Sequence, residues 1–590
     1  MSGGLSSARR SERPLAWEGA RLTASGLLRG GRPEAARRFL RPLFRIARPP
    51  ASLHLLMAEA CRRLGEEEEG FRWLTRAQRH FPQDARVLAK LADLRRKDAR
   101  PLEALACLQA LKAAHPAAGA LKIMAFAAVL GWEEDLAAAL TEVEALSDAE
   151  ILAEIGQIDR ASGRFAALAP RFGALRARAY RRLSEVGGVE QALAGRWLEA
   201  AEGFARSGAN RAARARLDLL RDRLGPLAGA LRLAHLNEDA EPLTAVHQGA
   251  PLPLEAAEAA GLIPVEFFIP RAFFADSREE KPPYEAIRRF FRLLAEDLAA
   301  RPEVCLVFRH QFGWRHALRR TSGRGIGYHT SGAPDPLWRH VQESTLAGRC
   351  SADRAGFAGF SSIASDFSVI EAAAVDVAPA RIEANFQEMR REFVEGRRSK
   401  YPQKGPDFAP EGPYVFVPLQ VQTDVVAALG HVSGLEHLRG VVAAHRGSGL
   451  RVVVKRHPYC ESLSLWRALR ELSASGEILL TEAPIHGLIA GCEAVHTVNS
   501  GVGLEALLHL KPVWTAGACD YAAAAAGVFR SFAEIAAHRP APPGAGLAPG
   551  QEARIKRFLW FYNRFYALPA DERGAAALVA DLLEAPRQRP

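Results

Sequence analysis

The sequence predicts an all-α helical repeat region followed by a two-lobed α/β unit, and three observations carry that expectation. From about Leu15 to Leu236 the chain is rich in Ala, Leu and Arg, helical in period and nearly free of β-branched runs. Beyond Pro242, apolar strand-like runs alternate with helical stretches in two blocks, the pattern of parallel sheets. In the second block, Val452–Pro458 and Ala494–Trp514 each end a buried strand on polar side chains.

At 590 residues the chain exceeds one hydrophobic core, so two or three domains are expected. A net charge of +11 fits Arg-rich solvated helix faces, or attraction to an anionic leaflet or an acidic polysaccharide. No basic patch is interleaved with aromatics, so nucleic acid is not an expected partner. No stretch offers the roughly 18 to 20 consecutive apolar residues of a membrane span. The N-terminus lacks an apolar signal core, and a cytoplasmic protein is expected. Seven cysteines (Cys61, Cys107, Cys305, Cys350, Cys460, Cys492 and Cys519) form no CxxC pair, a reduced pattern with neither a zinc site nor a disulfide frame.

Residues 1–14 read as a disordered tail and 15–240 as the helical domain. At an offset of 34, Ala58 meets Ala92, Gly70 meets Ala104, Leu74 meets Leu108 and Pro82 meets Pro116. Small residues let paired helices approach, and proline closes the unit. This is similar to tetratricopeptide repeats, with a generic helical bundle as the alternative. Further helix pairs are expected around Asp148–Phe172 and Gly195–Leu224, and the acidic run Glu66–Glu69 as a solvated helix start. Proline-rich stretches near Pro242 and Pro251–Pro253 suggest a linker.

The first α/β half, 250–400, holds the strand 261–270, a helix over Pro283–Ala300 and the strand 303–310. The polar stretch Glu395–Gly412 reads as a connector. The second half, 411–590, restarts with the strand 414–420, a helix over Gly434–His445 and a strand over Leu450–Val454. An aromatic-rich amphipathic helix is expected over Glu552–Leu568.

Val452–Lys455 is a β-branched run that Pro458 stops, leaving Lys455, Arg456 and His457 at its carboxyl end. By the strand period of two, only one of Lys455 and Arg456 faces a cleft. Ala494–Val498 is strand-like, Asn499-Ser500-Gly501 a turn, and a helix starts at Leu504. Strand, small-residue turn and helix make an anion site, most often for phosphate. Each half alone also fits a plain strand stop or an ordinary α/β turn.

Taken in order, Lys455, His457, Pro458, Ile485, His486, Leu488, Ile489, Asn499, Ser500, Gly501, Gly503, Glu505, Lys511, Pro512, Asp520 and Tyr521 resemble the pattern of the capsular polysaccharide biosynthesis proteins, which include bacterial Kdo transferases using CMP-activated sugars. The resemblance implies a GT-B fold: two Rossmann-like halves around a cleft, acceptor in the first, CMP-sugar donor in the second, and a C-terminal helix crossing back. It implies donor binding by Lys455, His457, Pro458, His486, Asn499, Ser500, Gly501 and Glu505, with Lys455 rather than Arg456 facing the cleft. His457 would donate to the leaving phosphate or neutralise it. Glu505 would bind ribose hydroxyls, or else be a carboxylate favoured by the helix dipole. His486 would reach the donor base.

In the first half, 323–332 and 337–364 resemble the family's Y-H-T, W-H-x-K-E and F-D-R-x-G segments with departures: Arg339 is inserted between Trp338 and His340, Gln342 stands for the Lys, and Ala352 for the Phe. Glu343 is the first choice for the catalytic carboxylate and Asp353 the second, because an Asp-Arg-x-Gly turn is equally a structural motif. His329 and Arg354 would bind the carboxylate of a Kdo-like sugar. The function so implied is transfer of an acidic, Kdo-like sugar from a CMP-sugar to a lipid or polysaccharide acceptor, without a metal and with no cofactor beyond the donor substrate. The alternatives are a non-catalytic capsule assembly or export factor keeping the fold, or a nucleotide-sugar epimerase. The helical repeats would recruit capsule-assembly proteins, and the basic charge leaves room for peripheral contact with the inner face of the cytoplasmic membrane.

Overall fold

A computed structural model describes residues 5–46, 49–98, 100–130, 132–153, 243–270, 282–311, 315–316, 323–403 and 410–584, with isolated positions between 168 and 178. It divides into a helical unit (Met1–Ala127, Ala138–Ala145 and Glu461–Ala468) and a second unit comprising the rest.

In the helical unit, Ala51–Arg63 pairs with Glu67–His80, and Ala85–Lys97 with Pro101–Ala114. Each helix of the second hairpin begins 34 residues after its counterpart (51 to 85, 67 to 101), as the repeat predicts. A β-carbon on Gly70 would stand 3.0 Å from the Ala58 carbonyl oxygen, so the small residue allows the close crossing. Ala58, Leu74, Val87 and Leu91 share one buried cluster. Asp84 caps the second hairpin by accepting from the amides of Arg86 (3.0 Å) and Val87 (3.2 Å). Pro116 opens the helix Pro116–Leu130 rather than closing the one before it, at a position where its missing N–H is not needed. Glu67, Glu68 and Glu69 occupy a first helical turn, as expected.

One expectation changes here, and another falls mostly outside the described residues. Residues 5–14, expected as tail, belong to the helix Leu5–Arg29. Of the helix pairs expected at Asp148–Phe172 and Gly195–Leu224, only the helix Asp148–Ala153 and scattered positions are described, and the rest lies outside the described residues.

The first α/β lobe is built on β1 (Thr244–His247), β2 (Ala250–Pro253), β3 (Ile263–Pro270), β4 (Val304–Gln311), β5 (Arg315–His316), β6 (Arg324–Tyr328), β7 (Thr330–Ser331), β8 (Trp338–Glu343) and β9 (Arg349–Asp353). The second holds β10 (Tyr414–Pro418), β11 (Arg451–Lys455), β12 (Leu479–Leu480), β13 (Ala494–Thr497), β14 (Val513–Thr515) and β15 (Gly527–Val528), and β16 (Ala567–Pro569) follows. The first sheet runs β16-β9-β8-β6-β3-β4-β1-β2, parallel from β8 to β4 and antiparallel at both edges. Val265, Phe267, Leu306 and Phe308 pack against Ile287, Phe290, Leu294 and Leu298 of the helix Pro282–Ala299.

The second sheet runs β12-β11-β10-β13-β14-β15, all parallel. Counted within the lobe this is 3-2-1-4-5-6, the doubly wound order, with its switch point between β10 and β13. Phe416, Val453 and Val495 give the buried centre of this sheet.

The chain crosses between lobes more often than the expected boundaries allow. Ile370, Ile382, Phe386 and Phe393, placed in the first half by sequence, pack in the second lobe's core with Ile555, Phe558 and Leu559. The helix expected over Glu552–Leu568 runs from Gln551 to Phe561 and continues as a π-helical turn to Tyr566, after which β16 joins the first sheet, Leu568 opposite Cys350. The helix Glu572–Glu584 finishes on the first lobe, with Leu578 and Val579 buried there.

Candidate active site

A cavity of about 340 Å³ lies between the two lobes, at the carboxyl ends of β10, β11 and β13 and facing the ends of β6 and β8. That volume suits a small ligand, and the place is the switch point where open parallel sheets bind theirs.

Lys455 ends β11, buried, its Nζ donating to the Ala483 carbonyl (2.6 Å) and to Gln403 Oε1 (3.0 Å). Burial holds its ammonium below the ordinary lysine range against the pull of Glu482 and Glu505. Arg456 lines the cavity too, contrary to the strand-period expectation. The reason is that β11 ends at Lys455, so the alternation no longer applies, and Arg456 Nη1 instead donates to the Cys460 carbonyl (3.0 Å). His457 Nδ1 accepts from the Tyr459 amide (3.1 Å), which leaves the proton of the neutral ring on Nε2. The ring meets Tyr401 edge-on at 5.4 Å, and Pro458 beside it also lines the cavity.

The turn after β13 is braced more tightly than an open phosphate loop. Asn499 Nδ2 donates to the carbonyls of Val426 (2.8 Å) and Ala518 (3.1 Å), and its Oδ1 accepts from Gln420 (2.7 Å). Asn499 therefore holds the turn. The Ser500 amide donates to Thr497 Oγ1 (3.1 Å) and the Val502 amide to Ser500 Oγ (3.4 Å). The helix begins at Val502, two residues earlier than expected, and Gly501 lies against Thr345 of the first lobe. Glu505 is wholly buried, not a solvated helix-dipole carboxylate. Burial raises it to about 8 although the nearby Ser399 and Lys455 act the other way, and its Oε1 has no hydrogen-bond partner.

Glu343 ends β8 with its carboxylate buried on the cavity wall, accepting from the Tyr328 hydroxyl (3.0 Å). Its main-chain carbonyl accepts from Lys400 Nζ (3.2 Å). His329 lines the cavity in a left-handed conformation (φ 55°), and burial, with Lys400 assisting, lowers its ring to about 4.

Three expected site residues stand elsewhere. Asp353 is outside the cavity lining: its Oδ1 accepts from the amides of Ala355 (2.7 Å), Gly356 (3.0 Å) and Ser362 (2.9 Å), and its Oδ2 from the Ser362 hydroxyl (2.6 Å). That is a turn-holding carboxylate. Arg354 is exposed, 3.5 Å from Asp581, because β9 has ended and its side chain leaves the sheet outward. His486 is buried behind the wall, bonded to Ser399 and His509, and its neighbour Ile485 lines the cavity instead. The departure at Arg339 also has a place: its guanidinium binds Asp581 (2.6 Å) and the carbonyls of Pro336 and Trp338 (both 2.7 Å), tying β8 to the last helix.

The connector supplies residues that sequence reasoning passed over. Lys400, Tyr401 and Gln403 all line the cavity. So does Asp520, which burial raises to about 6 while the Tyr562 hydroxyl donates to its Oδ2 (3.1 Å). Its signal was the Asp-Tyr pair after β14, and that of Lys400 only a lysine beside a proline-rich stretch. Among the described residues the group with cation-binding spacing is Cys61, Glu66 and Glu69 in the helical unit, where Glu66 pairs with Arg37 (2.6 Å).

Residues 385–541 match the family model described as capsule polysaccharide biosynthesis protein. The matched stretch spans the connector and the second lobe's whole sheet, so the resemblance read from Lys455 to Tyr521 stands on that lobe. No curated protein matches the chain. Among solved structures, the KpsC β-Kdo 2,7 transferase of Thermosulfurimonas dismutans is 16% identical, over 55% of this chain and 98% of that one, with a TM-score of 0.30. The β-Kdo 2,4 transferase of the same organism's KpsC is 15% identical over 50% and 89%, with a TM-score of 0.30. A mutant O-GlcNAc transferase of Thermobaculum terrenum is 14% identical over 97% of both chains, with a TM-score of 0.40.

Proposed function

We propose that this protein is a glycosyltransferase of capsule polysaccharide biosynthesis, transferring an acidic, Kdo-like sugar from a CMP-activated donor to a lipid or polysaccharide acceptor. The observation that carries the reading is the cavity at the switch point, where Lys455, His457 and Ser500 of the second lobe face Glu343 of the first. The donor's phosphate lies by Lys455 and His457 Nε2–H, whose charge and hydrogen bond meet the negative charge that grows as the sugar leaves. Glu343, held by Tyr328 and rigid at a strand end, takes the proton of the acceptor hydroxyl. The acceptor oxygen bonds to the anomeric carbon, the bond from that carbon to the phosphate oxygen breaks, and CMP leaves with the electron pair. Nothing in this sequence of steps requires a metal. His329 is a neutral imidazole at physiological pH and hydrogen-bonds the sugar rather than pairing with its carboxylate. Lys400, on the same wall, is the cation that meets that carboxylate.

The test is a thermal-shift panel of CMP, CDP, UDP and GDP followed by hydrolysis of CMP-Kdo. Selective stabilisation by CMP and release of CMP from CMP-Kdo are expected. Selective stabilisation by UDP would turn the reading towards a UDP-sugar enzyme.

A further inference from the structure

Two of the ammonium hydrogens of Lys455 are held by neutral oxygens, one by the Ala483 carbonyl (2.6 Å) and one by Gln403 Oε1 (3.0 Å). An ammonium has three donors and no acceptor, so one N–H remains. Lys455 is buried and lines the cavity, yet no ion pair among the described residues includes it. Glu482 and Glu505 pull on its charge without pairing with it. Taking a charge out of water unpaired is costly, and an anionic oxygen in the cavity is the partner that offsets the cost.

Gln403 reaches Lys455 from the connector. Its Oε1 also accepts from the Ile485 amide (3.3 Å), and its Nε2 donates to the Tyr401 carbonyl (3.0 Å). Both neighbours of the oxygen are donors and the neighbour of the nitrogen is an acceptor, so the carboxamide has one orientation. Turning it over would set its N–H groups against an ammonium and an amide. Lys400, earlier in the same segment, donates from Nζ to the Glu343 carbonyl on the opposite wall (3.2 Å). The segment is thus tied to both sides of the cavity.

We propose that Gln403 is a positioning residue of the anion site: it fixes the Lys455 ammonium, leaving one N–H and the whole positive charge to an anionic ligand oxygen. The inference rests on the reading above only in making that oxygen part of the donor's phosphate. A carboxamide suits this task better than a carboxylate. Its oxygen accepts the same hydrogen bond but carries only a partial charge, so it orients the cation without neutralising it. A carboxylate in its place would form an ion pair where screening by water is poor, and would compete with the ligand. The Ala483 carbonyl, also uncharged, acts in the same way.

The experiment measures CMP and cytidine affinity by calorimetry in the full chain, in Gln403→Ala, in Lys455→Met and in the double variant. Gln403→Ala should lower CMP affinity about tenfold, the scale of one hydrogen bond to a charged group. Cytidine, which lacks the phosphate, should bind all forms equally. In the Lys455→Met background, Gln403→Ala should change CMP affinity by less than about twofold, because its effect runs through the missing ammonium. Equal losses in both backgrounds, or equal losses for CMP and cytidine, would show that Gln403 only shapes the wall and would overturn the proposal. A second arm needs no ligand: a pH titration of the Lys455 Cε by NMR in the full chain labelled at lysine. In Gln403→Glu its midpoint should rise by about one pH unit or more, since an adjacent carboxylate holds the ammonium proton. An unmoved midpoint would also overturn the proposal. CMP failing to bind the wild type would count against the glycosyltransferase reading, while the lysine titration still decides whether residue 403 governs Lys455.

Discussion

Gly501 and Thr345 meet so closely that a β-carbon on the glycine would stand 2.3 Å from the threonine hydroxyl oxygen. One belongs to the second lobe's turn after β13, the other to the segment two residues beyond Glu343. The contact therefore sets how near the two walls of the cavity stand. Gly501→Ala should lower unfolding free energy by about 1–3 kcal/mol, the usual cost of overpacking, and weaken ligand binding further by spreading the walls. Thr345→Ala combined with Gly501→Ala should recover most of both losses. A double-mutant cycle in urea and by calorimetry measures this, and additive losses would show that the two residues act separately.

His457 and Glu343 have different tasks and should fail differently. His457→Ala removes an Nε2–H donor from the phosphate side, so CMP affinity and turnover should both fall. Glu343→Gln leaves the phosphate side intact, so CMP affinity should stay within twofold while turnover drops roughly 100- to 10,000-fold. Near-normal turnover in Glu343→Gln would remove the carboxylate from the chemistry.

Asp353 provides the contrast. Its two oxygens accept from Ala355, Gly356 and Ser362, so Asp353→Asn should lose a hydroxyl or amide bond and cost about 1–3 kcal/mol of stability. Turnover per folded molecule should be unchanged at a temperature well below the melting point. A large turnover loss in a variant that melts normally would return Asp353 to the catalytic set.

These contrasts show what was legible in the sequence. The 34-residue helical repeat and the alternation of strands and helices follow from periodicity, and both hairpins and both sheets are present. Lys455 and His457 were expected at a strand's carboxyl end and Glu343 from the family resemblance alone, and all three line the cavity. Asp353, Arg354 and His486 were misplaced because a residue's distance from a motif does not fix which way its side chain leaves the element. Lys400 reaches the cavity from the connector and Asp520 from the irregular turn after β14, tertiary arrangements with no local period. The same holds for β16, whose three residues Ala567–Pro569 carry no strand pattern of their own.

The last prediction concerns acid. His437, His445 and His496 are buried in the second lobe, and His538 lies beside Trp514, the rings 4.4 Å apart. His445 and His496 meet edge-on at 5.0 Å, and His496 stacks on Trp514. Burial lowers all four rings, His437 to about 4, with neighbouring histidines adding to the effect at His445's contacts His496 and His538. The folded state thus binds fewer protons than the unfolded chain, whose histidines titrate near 6.5. Stability from this cluster is complete above about pH 6.5 and is lost progressively as pH falls below it. Unfolding free energy should therefore decline from pH 7 to pH 5 more steeply than in His496→Phe, which removes one of the buried protonation sites. Urea titrations followed by tryptophan fluorescence at several pH values measure the slope. Identical slopes in the two proteins would mean that the cluster accepts protons without leaving the fold.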